Sequence, residues 1–140
     1  MYVINDPHNF FTKNLIRELI IIFNKLYQVN FRNIYLTNLS LNEMLDFNTN
    51  VLNHKYYTDV ITFCSSKKNF IDVEIFICLE YVDRFCQVSE NDREWEYIRT
   101  FYHALLHCVG YNDSTLEEKN IMTVKEKELT NLFYTFHVKH

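Results

Sequence analysis

Apolar residues recur along this chain with two periods, and the switches between them outline its elements. From about Asn9 to Tyr27, the positions Phe10, Leu15, Leu19, Ile22, Phe23 and Leu26 fall near helical spacing, which predicts an amphipathic helix. Tyr2 to Ile4 predicts a short strand before it, and Phe31 to Leu39 a strand after it. Ser40 and Glu43 form a capping-box pattern for a helix running to about Asn50. Thr58 to Phe63 is β-branched, and Val73 to Ile77 alternates; both predict strands. The polar loop Ser65 to Asn69 between them predicts a hairpin.

The second half is helical in pattern. A short helix is expected from about Glu80, and Ser89 can cap another running from Asn91 to Val109. Trp95, Ile98, Phe101, Tyr102, Leu105 and Leu106 form its buried stripe. Ser114 with Glu117 is a further capping-box pattern. The last helix carries Leu116, Ile121, Met122, Leu129, Leu132 and Phe133, and His137 to His140 is expected to fray. No repeat or linker interrupts the series. The predicted fold is α+β: a single domain over residues 1–140, with a roughly four-stranded mixed sheet packed with about five helices.

Composition narrows the function classes. A chain of 140 residues is long enough for one real core. A net charge of −4 argues against a broad basic surface for non-specific nucleic-acid binding. Cys64, Cys78, Cys86 and Cys108 make no C-x-x-C pair, and the expectation is four reduced, mostly buried thiols in a cytoplasmic protein. The start lacks a basic segment followed by an apolar one, and the run Leu19 to Phe23 is far too short to span a bilayer, so no membrane association is expected.

The chemistry concentrates at His103-Ala-Leu-Leu-His107-Cys-Val-Gly110-Tyr-Asn-Asp113. Two histidines four apart share one helix face, and two neutral imidazoles there can grip one metal ion. Gly110, the one glycine in the chain, can end the helix in a left-handed residue. Asp113 then offers a carboxylate as third ligand, and three protein ligands with an open position describe a catalytic zinc site. Each residue also has a plainer role: packing for the histidines, a cap or turn for Asp113, and Asn112 can take that turn instead. A peptidase of the H-E-x-x-H type is disfavoured, because Ala104 stands where its glutamate base would be.

With these residues in view, the chain resembles the YbeY-type endoribonuclease family, whose motif is H-G-x-x-H-x-x-G-Y-D-H. His103, His107, Gly110 and Tyr111 match it, Asp113 stands at the third histidine, Ala104 at the first glycine and Asn112 at the aspartate. Asn48 and Thr58-Asp59-Val-Ile-Thr-Phe63 resemble the family's N…T-D-V-L-S-F segment. Glu74 to Ile77 is similar to its G-D-I-x-I strand, with Val73 for the glycine and Glu74 for the aspartate. Met122, Glu126 and Leu129 match its M-x-x-x-E-x-x-L pattern. Two departures stand out. Asp113 makes the ligand set two nitrogens and an oxygen, which still suits zinc but admits other divalent ions. Leu52 occupies the place of an arginine that the resemblance implies holds substrate phosphate.

The resemblance implies a cytoplasmic, zinc-dependent endoribonuclease acting on single-stranded RNA. Its implied role is ribosomal RNA maturation, at the 16S 3′ end, and ribosome quality control, with the small ribosomal subunit as partner and no DNA expected. His103, His107 and Asp113 are the implied metal ligands. Asn48, Thr58 and Asp59 would shape the cleft or orient a ligand, and Lys55, Arg84 or Arg99 would contact substrate, although solvated surface charge is the plainer role for each of those three. No side chain stands out as a general base. Two other readings stay open: a ribosome-assembly module that keeps a structural metal without turnover, and a hydrolase of a peptide or small amide.

Overall fold

In the computed structural model, residues 1–53, 58–85 and 93–137 are described. Nine elements occur among them: β1 (Tyr2–Asn5), α1 (Lys13–Tyr27), β2 (Phe31–Asn38), α2 (Leu41–Asn50), β3 (Val60–Lys67), β4 (Phe70–Ile77), α3 (Leu79–Phe85), α4 (Arg93–Cys108) and α5 (Leu116–His137). The four strands form one mixed sheet in the order β1-β2-β4-β3. β1 and β4 both run parallel to β2, and β3 pairs antiparallel with β4. This is the expected α+β architecture, with five helices and a mixed sheet.

Local sequence explains most boundaries. Thr12 caps α1 by accepting a hydrogen bond from the Leu15 N–H, so the helix starts at Lys13 rather than near Asn9. At the other end Gln28 adopts a left-handed conformation, and the Asn24 side chain accepts from the Val29 N–H. The Ser40–Glu43 capping box of α2 forms as expected. The hairpin between β3 and β4 also forms, but the strands run further than their apolar pattern, to Lys67 and from Phe70. Polar Ser65, Ser66 and Lys67 are exposed, and pairing with β4 holds them in the ladder.

The cap of α5 differs from expectation by one residue. Thr115 accepts from the Glu118 N–H, and the Glu118 carboxylate accepts from the Ser114 and Thr115 N–H groups. Of the apolar residues the last helix carries, Leu116 and Ile121 are exposed; that helix buries Met122, Leu129 and Phe133 together with Glu126 and Thr130. His137 belongs to the last turn of α5. The proposed Ser89 cap and Asn91 start of α4 lie outside the described residues.

Side chains alternate across the sheet, so Val73, Ile75 and Ile77 of β4 share one face with Ile34 and Leu36 of β2. That face joins α1 and α4 in a single apolar cluster containing Leu19, Phe23, Phe101, Tyr102 and Leu105. Tyr102 is fully buried, and its hydroxyl donates to the Leu19 carbonyl 2.8 Å away, tying α4 to α1. On the opposite face, Phe47 of α2 meets Phe76 and Phe63. α4 is thus held on the sheet by its Tyr97, Ile98, Phe101, Tyr102, Leu105 and Leu106 face, with α5 packed beside it.

One expectation is overturned here. Cys64 and Cys108 are not reduced thiols; a disulfide joins them across 44 residues. The β3–β4 register sets Cys64 opposite Val73, on the face that α4 covers. Cys108, one residue beyond His107, points from the end of α4 toward that strand, with the two Cα atoms 5.7 Å apart. Cysteine spacing alone carries no trace of this register. Cys78 is a free, buried thiol, and Cys86 lies outside the described residues.

Candidate metal centre

The end of α4 sets the site. Leu106, His107 and Gly110 close the helix in a Schellman turn: the Tyr111 N–H bonds to the Leu106 carbonyl at 3.1 Å, and the Gly110 N–H to the His107 carbonyl at 3.2 Å. Gly110 has φ 102°, a backbone conformation that L side chains rarely adopt. The turn does two things for the chemistry. It aims the Tyr111 carbonyl at His107, whose Nδ1 lies 3.0 Å from that oxygen. It also returns the chain so that Asp113 reaches both histidines.

Three donor atoms converge. His103 Nε2 and His107 Nε2 are 3.0 Å apart, and Asp113 Oδ2 lies 3.2 Å from the first and 3.5 Å from the second. The other ring nitrogens decide what these atoms carry. A carbonyl can only accept, so His107 Nδ1 bears the proton and donates to Tyr111. His103 Nδ1 faces the Glu126 carboxylate, which also accepts from Arg99 at 2.7 Å and is almost wholly buried. His103 therefore donates from Nδ1 as well. In the neutral tautomers, two nitrogen lone pairs and a carboxylate oxygen then point at one another with no hydrogen between them. Such a cluster calls for a cation, and the donor set of two imidazoles and one carboxylate suits zinc or a similar divalent ion.

Behind the ligands lies a charged chain. Arg99 bridges Glu96 and Glu126, each at 2.7 Å. Burial opposes the Arg99 charge, but the two carboxylates outweigh it and hold its pKa above the ordinary value. Burial likewise lowers the His103 pKa, and the hydrogen bond and charge of Glu126 overcome it, so the net shift is upward. Glu126 thus serves α4 twice, orienting the His103 ring and neutralising Arg99. The sequence pattern placed Glu126 on the last helix without giving it a role. What marks it is helical spacing: Lys119, Met122, Thr123 and Glu126 occupy positions i, i+3, i+4 and i+7, one face of α5.

These residues border a cleft of about 310 Å³ lined by Asp59, Arg99, His103, Asp113, Lys119, Met122, Thr123 and Glu126. Of the other candidates, Asp59 is in the cleft wall, just before β3. Thr58 and Asn48 are not among its lining residues; Asn48 is buried within α2. Arg84 pairs with Glu80 on its own helix at 3.1 Å and is away from the lining. Arg99 lines the cleft, but its guanidinium is committed to the two glutamates. Lys55 lies outside the described residues.

A roomier cavity of about 510 Å³ sits at the ends of β2 and β4, bordered by Glu43, Glu80, Asp83 and Tyr97. Its carboxylates are occupied by the fold. Glu43 accepts from the Ser40 N–H, Glu80 from the Leu41 N–H and Arg84, and Asp83 from the Tyr97 hydroxyl and Arg93. The candidate ligands His103 and Asp113 border the smaller cleft instead. No helix among the described residues is long and apolar enough to cross a membrane.

The family model described as "Endoribonuclease YbeY" matches residues 5–134. An endoribonuclease YbeY from Cytophaga hutchinsonii is 40% identical over 84 residues, which are 59% of this chain and 59% of that relative. One from Parabacteroides distasonis is 37% identical over 84 residues, 60% of this chain and 59% of the relative. These alignments span about three-fifths of the curated relatives' length. The solution structure of TM1509 from Thermotoga maritima superposes with a TM-score of 0.62 at 19% identity, covering 96% of this chain and 90% of that one, which supports the fold. By the match over residues 5–134, the chain belongs to the endoribonuclease YbeY family.

Proposed function

We propose that this protein is a metal-dependent endoribonuclease that cleaves single-stranded RNA in ribosomal RNA maturation. The reading extends to the 16S 3′ end, to ribosome quality control, to the small ribosomal subunit as partner and to the cytoplasm as its place of action. The observation that carries it is the convergence of His103 Nε2, His107 Nε2 and Asp113 Oδ2 on one point, with both Nδ1 protons already donated elsewhere. Relatives described as endoribonucleases, and the family itself, support RNA as the substrate class.

Zinc is the proposed ion. When bound, such an ion polarises a phosphoryl oxygen and brings the pKa of water toward ~7. His103, His107 and Asp113 would hold it. Glu126 and the Tyr111 carbonyl keep both imidazoles turned with Nε2 toward the cleft. Asp59 borders the same cleft and raises its negative charge, which favours a cation there. Unstacked RNA suits an open surface cleft, because its backbone and base edges are accessible.

One set of observations favours a second reading. Arg84 and Arg99 are tied to glutamates, and Leu52 supplies no charge. A ribosome-assembly module with a structural metal and no turnover would have the same site. The two readings separate in one assay. Protein stripped with a chelator is mixed with end-labelled single-stranded RNA, before and after zinc or manganese is returned. Cleavage that appears only with metal supports the nuclease; binding without any product, with metal restored, supports the assembly module.

A further inference from the structure

The cleft that holds the candidate metal site is acidic. Asp59, Asp113 and Glu126 line it, and Glu96 lies behind Arg99. An ion at His103, His107 and Asp113 would answer only the phosphate it contacts; the neighbouring phosphates of the strand pass the remaining carboxylates and call for a further cation. Among the described residues two cationic side chains line the cleft, Arg99 and Lys119. Arg99 cannot serve without breaking its bonds to Glu96 and Glu126, both at 2.7 Å, because its side chain is 20% exposed and locked between them. The described residues include no carboxylate paired with Lys119, and its side chain is exposed.

Its position is not explained by helix stability. Lys119 ends the first turn of α5, and a cation there opposes the helix dipole instead of complementing it. It does stand four residues before Thr123 and seven before Glu126, so the helix face that carries the His103 partner also carries Lys119 into the cleft.

We infer that Lys119 is the phosphate-contacting residue of the RNA site, the cation that holds the substrate backbone against the carboxylate-lined cleft beside His103 and Asp113. This rests on RNA being the substrate, as proposed above. Lysine suits the role as a mobile point charge that any phosphate along a flexible strand can engage, with no demand for one bidentate geometry. The contact is electrostatic and independent of base identity.

The test is binding of a fluorescein-labelled, 2′-O-methylated single-stranded oligonucleotide, which resists cleavage, to the zinc-loaded full chain across a salt series. Lys119→Gln should weaken binding roughly 5- to 10-fold near 0.1 M salt and reduce the log–log salt slope by about 0.7, one phosphate's share for a single strand. Zinc content should be unchanged, and Lys119→Arg should restore most of the affinity. On cleavable RNA the Lys119→Gln loss should fall mainly on KM. Unchanged affinity and slope in Lys119→Gln, with wild type binding and cleaving normally, would overturn this inference and leave the nuclease reading standing. Loss of zinc or of folding in step with affinity would also overturn it, since the residue would then be structural. A wild-type chain that neither binds nor cleaves the strand would overturn the inference and the nuclease reading together.

Discussion

Glu126→Gln is the perturbation that probes most of the site at once. The substitution keeps the side chain's shape and an oxygen acceptor but removes the charge between His103 and Arg99. Two effects follow from the buried position, where the glutamate side chain is 4% exposed. Breaking a buried ion pair costs about 3–5 kcal/mol when the remaining charge is stranded. Arg99 is not stranded, because Glu96 still holds it at 2.7 Å. The loss in fold stability is therefore expected nearer 2–3 kcal/mol, at or below the low end of that range. With a total stability of about 5–15 kcal/mol the variant still folds. Its Tm should fall by roughly 6–10 °C for a chain of this size.

The second effect is on the metal. A carboxylate hydrogen-bonded to a ligating imidazole fixes its tautomer and raises its basicity, and losing such a partner costs about 10–100-fold in metal affinity. That is about 1.4–2.7 kcal/mol of binding free energy. The amide of glutamine can also present its NH2 group to His103 Nδ1, which would drive the proton to Nε2 and block the ligand atom. Zinc affinity is read by competition with a chromophoric chelator, and stability by thermal melting of the metal-free protein. A lower Tm with unchanged zinc affinity would refute the reasoning: Glu126 would then be only a counterion for Arg99.

Three further predictions test other parts of the structure. Gly110→Ala meets no steric obstacle, since no atom lies within 4 Å of the added Cβ, but it strains a backbone with φ 102°; a cost of about 1–2 kcal/mol is expected, with weaker zinc binding as the Tyr111 carbonyl shifts. Gly110→Asn should cost less, and equal melting of all three proteins would contradict the turn's role. Reducing the Cys64–Cys108 bond frees a loop with a sequence separation of 44 residues, and the chain-entropy model predicts about 4 kcal/mol lower stability; urea titration with and without reductant measures it, and coincident curves would contradict the bond's contribution. The hydrogen bond from Arg32 holds the Asp72 carboxyl below its usual pKa range, although burial opposes the shift. The stability from this depressed pKa is present above the unfolded value of about 3.9 and disappears as pH falls through the folded one. The difference between wild type and Arg32→Gln should therefore shrink below about pH 4, and a pH-independent difference would contradict the pairing.

The sequence carried the ligands more clearly than their support. Helical spacing of His103 and His107, and one glycine before Asp113, were enough to indicate a metal site because those relations are local. The capping box at Ser40 and the stripe of α4 were legible for the same reason. Features set by long-range register were not. The disulfide depends on Cys64 facing α4 across the β3–β4 pairing, and nothing near either cysteine encodes it. Glu126 acts on His103 from another helix, 23 residues away, so its role needed the packing of α5 on α4. Leu116 and Ile121 are exposed because they lie off the i, i+4, i+7, i+11 face that buries Met122, Glu126, Leu129 and Phe133.

On the proposed function, His103, His107 and Asp113 together hold one ion that RNA cleavage requires. The most direct test is elemental analysis of the purified chain beside Asp113→Ala, with single-stranded RNA cleavage measured on the same preparations. About one zinc per chain in the wild type, with metal and cleavage both lost in a folded Asp113→Ala variant, is the result predicted by the site. Equal cleavage by both proteins, or a folded wild type that takes up no divalent ion, would contradict it and leave the two histidines as packing residues.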